Sequence, residues 1–252
     1  MIFETKQDWS YKHVEVTILH SIAGLATQIL IKNSDNNSSF LIDCGDGTTR
    51  DILQQGVDVH KLRGIAITHG HYDHCSGLHS LLGFLRMLGR TEEFYIYYPH
   101  GCKEVEGILD NFKKCYPDSI PYNLVKKNLN DFNNNIINLN GFSLKFVKVL
   151  HYGSTIKYGI GNRIPALGYE ITIDDIKIAY SGDTGPINSL NILFTKETDL
   201  GIIEATHPDD SWVKNEKNRY HLTEKEAINY TNICKNRIII HRLPESIINQ
   251  RS

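Results

Sequence analysis

The run Ile67-Thr68-His69-Gly70-His71-Tyr72-Asp73-His74 constrains this chain more than any other: three imidazoles and a carboxylate crowd into six residues after a short apolar segment. Directly behind it, Leu78, Leu81, Leu82, Leu85 and Leu88 recur at helical spacing through Gly77 to Leu88. A strand, a ligand-rich turn and an amphipathic helix therefore follow one another. The turn breaks the alternation that sends neighbouring strand residues to opposite faces, so several of these side chains can be aimed into one space. Imidazole nitrogen and carboxylate oxygen without thiolate suit zinc or manganese and leave room for water, as catalytic rather than closed structural sites do. His69 and His71 would share one metal with a third nitrogen ligand; Asp73 and His74 would hold a second.

The rest of the chain supplies further candidates at the ends of apolar runs. His151 follows Val147 to Leu150, Asp183 follows Ile178 to Gly182, and His241 follows Ile238 to Ile240. Asp183 lies among small residues, and a carboxylate can bridge two cations with its two oxygens where an imidazole cannot. Two divalent ions about 3.5 to 4 Å apart lower the pKa of a shared water and neutralise an oxyanion, which makes hydrolysis the natural chemistry. His13, His20, His60, His79 and His100 have no such context and are read as surface or packing residues. Cys75 directly follows a candidate ligand and is a packing residue on the same reading.

Strands are expected at Val14 to Leu19, Thr27 to Ile31, Phe40 to Ile42, Gly64 to Thr68, Phe94 to Tyr98, Phe142 to Val149, Leu200 to Glu204 and Arg237 to Ile240. Ala166 to Ile173 and Lys177 to Tyr180 pair as a hairpin through Asp174-Asp175. Helices are expected at Asp51 to Gln55, Gly77 to Leu88, Cys102 to Lys113 and Thr223 to Cys234, and Asn128 to Asn140 reads as a surface loop. Strands outnumber helices, and helices follow strand ends in the second half. This pattern implies an α/β layered sandwich in a single domain over residues 1–252.

Composition excludes rather than selects. No stretch reaches the ~20 apolar residues needed to span a bilayer, and Glu4, Lys6, Gln7 and Asp8 stand where a secretory signal would be apolar, so a cytoplasmic protein without membrane association is expected. Five scattered cysteines without a CxxC pair argue against a disulfide framework and a thiolate zinc site. A net charge of -2 gives no global push toward nucleic acid.

His69, His71, Asp73 and His74 stand as the HxHxDH motif, and in these residues the chain resembles the metallo-β-lactamase superfamily. Leu41-Ile42-Asp43-Cys44-Gly45-Asp46-Gly47-Thr48, Gly77-Leu78, Pro165 to Glu170, Ser181-Gly182-Asp183-Thr184, Glu204-Ala205-Thr206 and His221-Leu222-Thr223 follow in the order of its ribonuclease Z branch. The resemblance covers roughly residues 14–243. It implies a four-layer αββα sandwich, two zinc ions (manganese as the second choice) held by His69, His71, Asp73, His74, His151, Asp183 and His241, and hydrolysis of a phosphodiester by metal-activated hydroxide. It further implies a tRNA 3′-end precursor as substrate, His221 paired with Glu204, Asp73 assisting proton transfer to the leaving oxygen, and assembly as a homodimer. A carboxylate that orients a histidine and keeps it protonated makes a plausible general acid; His207 is a rival partner for it.

Two departures bear on the substrate. Thirteen residues separate Tyr169 from Asp183, where bacterial ribonuclease Z enzymes insert a long tRNA-gripping arm. Ala23 to Gln28 replaces a loop that carries proline, threonine and an arginine-asparagine pair in the tRNA enzymes. A smaller or cyclic nucleotide therefore stands beside tRNA as substrate. Phosphate-contacting candidates are Lys126, Lys127, Lys145, Lys148, Lys157, Arg163, Lys214, Lys217 and Arg219. The competing readings are a lactonase or thioesterase of the same superfamily, which would need no acid pair at His221 and Glu204, and a non-catalytic metal-binding protein, which would be expected to have lost ligands.

Overall fold

The structure is a computed structural model that describes residues 7–130, 136–139, 141–155, 159–213 and 219–243. Contacts divide it into two compact units, one of residues up to 20 and 24–130, the other of residues 21–23 and 131 onward.

The first unit holds a seven-stranded sheet in which the strands lie side by side in chain order. It comprises β1 (Gln7–Tyr11), β2 (Val14–Ile22), β3 (Ala26–Asn33), β4 (Ser38–Ile42), then α1 (Thr48–Gln54), β5 (Leu62–Ala66), α2 (Tyr72–Cys75), α3 (Leu78–Met87), β6 (Phe94–Pro99), α4 (Lys103–Cys115) and β7 (Leu124–Leu129). β3 and β4 are antiparallel, whereas β4, β5, β6 and β7 run parallel to one another. Parallel strands need crossovers, and helices supply them. The helices sit where the apolar spacing puts them: α3 buries Leu78, Leu81, Leu82 and Leu85, and α4 buries Val105, Leu109 and Phe112. These pack with Leu41, Ile65, Phe94 and Ile96 into one core. Each such side chain contributes on the order of 1.5–3 kcal/mol by burial. Glu104 and Glu106 in the first turn of α4, with Lys113 and Lys114 in its last, complement the helix dipole.

The second unit has a six-stranded sheet and a separate two-stranded one. Its elements are β8 (Ile137–Leu139), β9 (Phe142–Lys148), β10 (His151–Thr155), β11 (Gly159–Ile164), β12 (Leu167–Ile173), β13 (Ile176–Tyr180), α5 (Leu190–Leu193), β14 (Leu200–Glu204), α6 (Glu224–Thr231) and β15 (Asn236–Ile240). The large sheet runs β15-β14-β13-β12-β9-β8, and β10 pairs with β11 antiparallel. The β12–β13 hairpin turns at Asp174, whose φ is 52°, so the segment between Tyr169 and Asp183 is a tight two-strand return. Thr223 and Glu226 form a reciprocal capping box that starts α6. Val149, Ala179, Leu190, Phe194, Ile203, Leu222 and Ala227 form this unit's core.

Of the expected Asn-rich loop, Asn128 and Leu129 close β7 and Ile137–Leu139 is a strand, while 131–135 and 140 lie outside the described residues. Among the described residues, no helix is long and apolar enough to cross a membrane.

Candidate metal centre

In the first unit the cluster occupies the connection from β5 to α3, with His71 as the N-cap of α2. Its backbone is braced by a neighbouring turn: the Cys44 amide donates to the His74 carbonyl, and the Gly77 amide donates to the Cys44 carbonyl. A Cβ on Gly77 would lie 2.2 Å from the Gly45 carbonyl oxygen, so only glycine permits this approach. The ring centroids of His69 lie 4.7 Å from those of His71 and 4.1 Å from His74, and His74 Nε2 is 3.8 Å from Asp73 Oδ2.

The support beneath these rings was not singled out by sequence reasoning. Asp43, fully buried at the end of β4 with φ 61°, takes the Thr68 amide at 2.8 Å, the Thr68 hydroxyl at 2.9 Å and His74 Nδ1–H at 2.8 Å. Thr68 Oγ1, donating to Asp43, lies 3.1 Å from His69 Nδ1 and can accept its proton. Burial pushes the Asp43 carboxyl above the usual carboxylate range, opposed by His74 and then by the bonds from Thr68. With Nδ1 so engaged on His69 and His74, Nε2 is the atom each presents as a ligand. Asp43 stands in the segment that carries the resemblance, which was the available signal.

Cys75 is buried, and its thiol points back to the carbonyls of Gly70 and His71. Burial pushes that thiol well up, so it packs behind the loop as a neutral group.

In the second unit His151 opens β10, Asp183 follows β13, Glu204 ends β14, His221 precedes α6 and His241 follows β15 with φ 56°. Strand ends thus gather residues far apart in sequence. Asp183 Oδ2 is 3.4 Å from His241 Nε2 and 3.9 Å from His151 Nε2, and ligand atoms of His151, Asp183 and His221 lie within 4.8 Å of one another. His151 Nδ1–H donates to the Tyr220 carbonyl at 2.9 Å, and His241 Nδ1 lies 2.9 Å from Thr206 Oγ1, so both again offer Nε2.

Glu204 is fully buried. It accepts the amides of Thr184 at 3.1 Å, Leu222 at 3.1 Å and Thr206 at 2.8 Å, the Thr206 hydroxyl at 3.0 Å, and His221 Nδ1–H at 2.9 Å. These donors fix both carboxylate oxygens of Glu204 in place beside the His221 ring. His207 makes only ring contact with His221, at a centroid separation of 5.8 Å, and its buried Nδ1 has no hydrogen-bond partner. Burial, and after it the proximity of His221, pushes His207 down to about 4. Glu204, and not His207, is therefore the group bonded to His221.

Residues 38–241 match the β-lactamase superfamily domain. The chain belongs to the metallo-β-lactamase superfamily, a family of metal-dependent hydrolases. Its curated relatives include the ribonuclease Z of Parabacteroides distasonis, 39% identical over 105 residues, which cover 40% of this chain and 33% of that protein. The ribonuclease Z of Clostridium botulinum is 28% identical over 255 residues, covering 83% of this chain and 81% of that one. Among solved structures, the short form of human tRNase Z has a TM-score of 0.71 at 20% identity, covering 92% of this chain and 93% of the other. The expected metallo-β-lactamase α/β fold is thereby established.

The cations expected to meet RNA are partly committed elsewhere. Arg219 is almost fully buried and binds Glu226 through both terminal nitrogens, which makes it a brace for α6. Lys126 pairs with Asp110 at 2.7 Å and Lys145 lies 3.5 Å from Glu170. Lys157, Lys214 and Lys217 lie outside the described residues.

Proposed function

We propose that this superfamily member is a cytoplasmic phosphodiesterase whose His69, His71, Asp73, His74, His151, Asp183 and His241 together hold two divalent cations, zinc first and manganese second. The donor set fits such ions: four of the five histidines have Nδ1 engaged by oxygen, and the carboxylates of Asp73 and Asp183 each lie beside a histidine Nε2. When bound, a pair of such cations acidifies water and neutralises charge that builds on a phosphate.

The chain's own residues supply the other half of the chemistry. The single observation that carries the reading is the 2.9 Å bond from His221 Nδ1 to the fully buried Glu204. A carboxylate so placed stabilises the imidazolium and orients its ring, and the Nε2 proton is then available to a leaving oxygen. Amide donors on both Glu204 oxygens stop the carboxylate from rotating away. Asp73 assists proton transfer on the same reading. Leaving-group protonation matters most for a poor leaving group such as the ribose oxygen of a phosphodiester, and much less for a thiolate.

The curated relatives named ribonuclease Z support RNA, with a tRNA 3′-end precursor as the first substrate. The tight β12–β13 return supports a smaller or cyclic nucleotide instead, because no long arm projects there. The test is a side-by-side rate measurement on a precursor tRNA, a 2′,3′- or 3′,5′-cyclic nucleotide and an acyl lactone, using metal-reconstituted protein. Turnover of either phosphodiester above the lactone is the expected result. Preference for the lactone overturns the proposal.

A further inference from the structure

We propose that Tyr72 is a positioning residue for Asp73 and acts through the backbone of Gly24. Tyr72 stands between His71 and Asp73 on α2, and 63% of it is exposed, so burial cannot be what it contributes. Its hydroxyl donates to the Gly24 carbonyl. The Gly24 amide in turn donates to Asp73 Oδ2 at 2.9 Å. Two consecutive side chains of α2 therefore grip one residue of the β2–β3 turn from its two ends.

The grip falls on the oxygen that matters. Asp73 Oδ2 is also the atom 3.8 Å from His74 Nε2, so the Gly24 amide fixes the carboxylate at the edge that faces its histidine neighbour. Gly24 adopts φ 72°, a left-handed conformation that strains any side chain, although a Cβ there would stand an ordinary 3.6 Å from the Tyr72 hydroxyl. Conformation, not space, requires glycine. Without the phenol the turn loses the bond that holds its carbonyl, the amide is no longer kept on Oδ2, and the carboxylate regains rotational freedom. Outer hydrogen-bond partners of this kind hold ligands in the orientation a metal needs.

The inference rests on the reading of Asp73 as a ligand, and its test separates the two. Zinc affinity of the full chain would be measured by competition with a chromophoric chelator, and turnover on bis(p-nitrophenyl) phosphate, for the wild type, Tyr72→Phe, Gly24→Ala and Leu25→Ala. Tyr72→Phe should weaken one of two zinc ions about tenfold, leave the other unchanged, and lower kcat about tenfold with KM nearly constant. Gly24→Ala should act in the same direction, and Leu25→Ala, an exposed neighbour in the same turn, should not. Wild-type zinc affinity and kcat in Tyr72→Phe would overturn the proposal, as would equal weakening of both ions or a wild-type chain that takes up fewer than two. If the wild type binds two zinc ions but cleaves no phosphodiester, the phosphodiesterase reading falls and the zinc measurements alone decide the role of Tyr72.

Discussion

The first unit carries its four candidate ligands within residues 69–74, whereas the second draws His151, Asp183 and His241 from three separate places in the chain, yet both use one supporting device. In each, a fully buried carboxylate accepts the amide and the hydroxyl of one threonine and the Nδ1–H of one histidine. Asp43, Thr68 and His74 form the first set, and Glu204, Thr206 and His221 the second. In each, the threonine hydroxyl also reaches a second histidine, His69 or His241. A left-handed residue stands at a strand end in both, Asp43 in one and His241 in the other, as backbone strain does at functional sites. The difference lies in how many donors the carboxylate takes. Among the described residues Asp43 is served by Thr68 and His74, while Glu204 also binds the amides of Thr184 and Leu222. On the proposed reading, the first set orients a ligand and the second holds a proton-donating imidazole.

Three substitutions would break or sharpen this contrast. The largest effect is expected for His221→Ala, which should lose about 10²–10⁴ in kcat on a poor leaving group while keeping both metals. Metal loss in that variant, read by elemental analysis, would make His221 a ligand and erase the distinction. Asp43→Asn should instead weaken metal binding about 10–100-fold, because His74 loses the carboxylate that orients it. Comparable losses from Glu204→Gln, measured in the same chelator competition, would mean that the two carboxylates do one job.

The threonines test the shared part. Thr68→Val and Thr206→Val should each destabilise the metal-free chain by about 1–3 kcal/mol in urea unfolding, since each leaves buried carboxylate and imidazole atoms short of a partner. A cost confined to one of them would show that the resemblance between the sets is superficial.

The smallest effect concerns pH. His207 is pushed down to about 4 chiefly by burial, so the unfolded chain takes up this proton below the ordinary value of about 6.5 and the folded chain does not. Stability from this residue is present above about 6.5 and is lost as pH falls toward about 4. His207→Phe should flatten the decline of the thermal midpoint over that interval, and an unchanged slope would assign the decline to other groups.

What could be read from sequence follows from the same contrast. The residue 69–74 cluster was legible because its strand, turn and leucine-spaced helix are contiguous. Its counterparts His151, Asp183 and His241 were legible only as polar residues closing apolar runs. The hydrogen bonds beneath them were not, because Thr68 and Asp43 are 25 residues apart and the partner of His151 is a main-chain carbonyl, which leaves no trace in side-chain identity. The strands missed have physical reasons too. β1 is mostly exposed, β7 buries only Leu124 and Leu129 around an exposed Lys126-Lys127-Asn128 centre, and the β10–β11 pair contains a register shift. None of the three shows the alternating apolar face on which strand recognition depends. Arg219 failed in the other direction: a cation in a basic stretch read as a phosphate contact, when its guanidinium is held by Glu226.

The central claim is that the two ligand sets serve one pair of cations, and anomalous scattering at the zinc edge from crystals grown with zinc tests it most directly. Two peaks about 3.5–4 Å apart are predicted, with Asp183 reaching both, His69 and His71 on one, and Asp73 and His74 on the other. A single peak, or peaks that leave Asp183 or His241 without a metal, would contradict it.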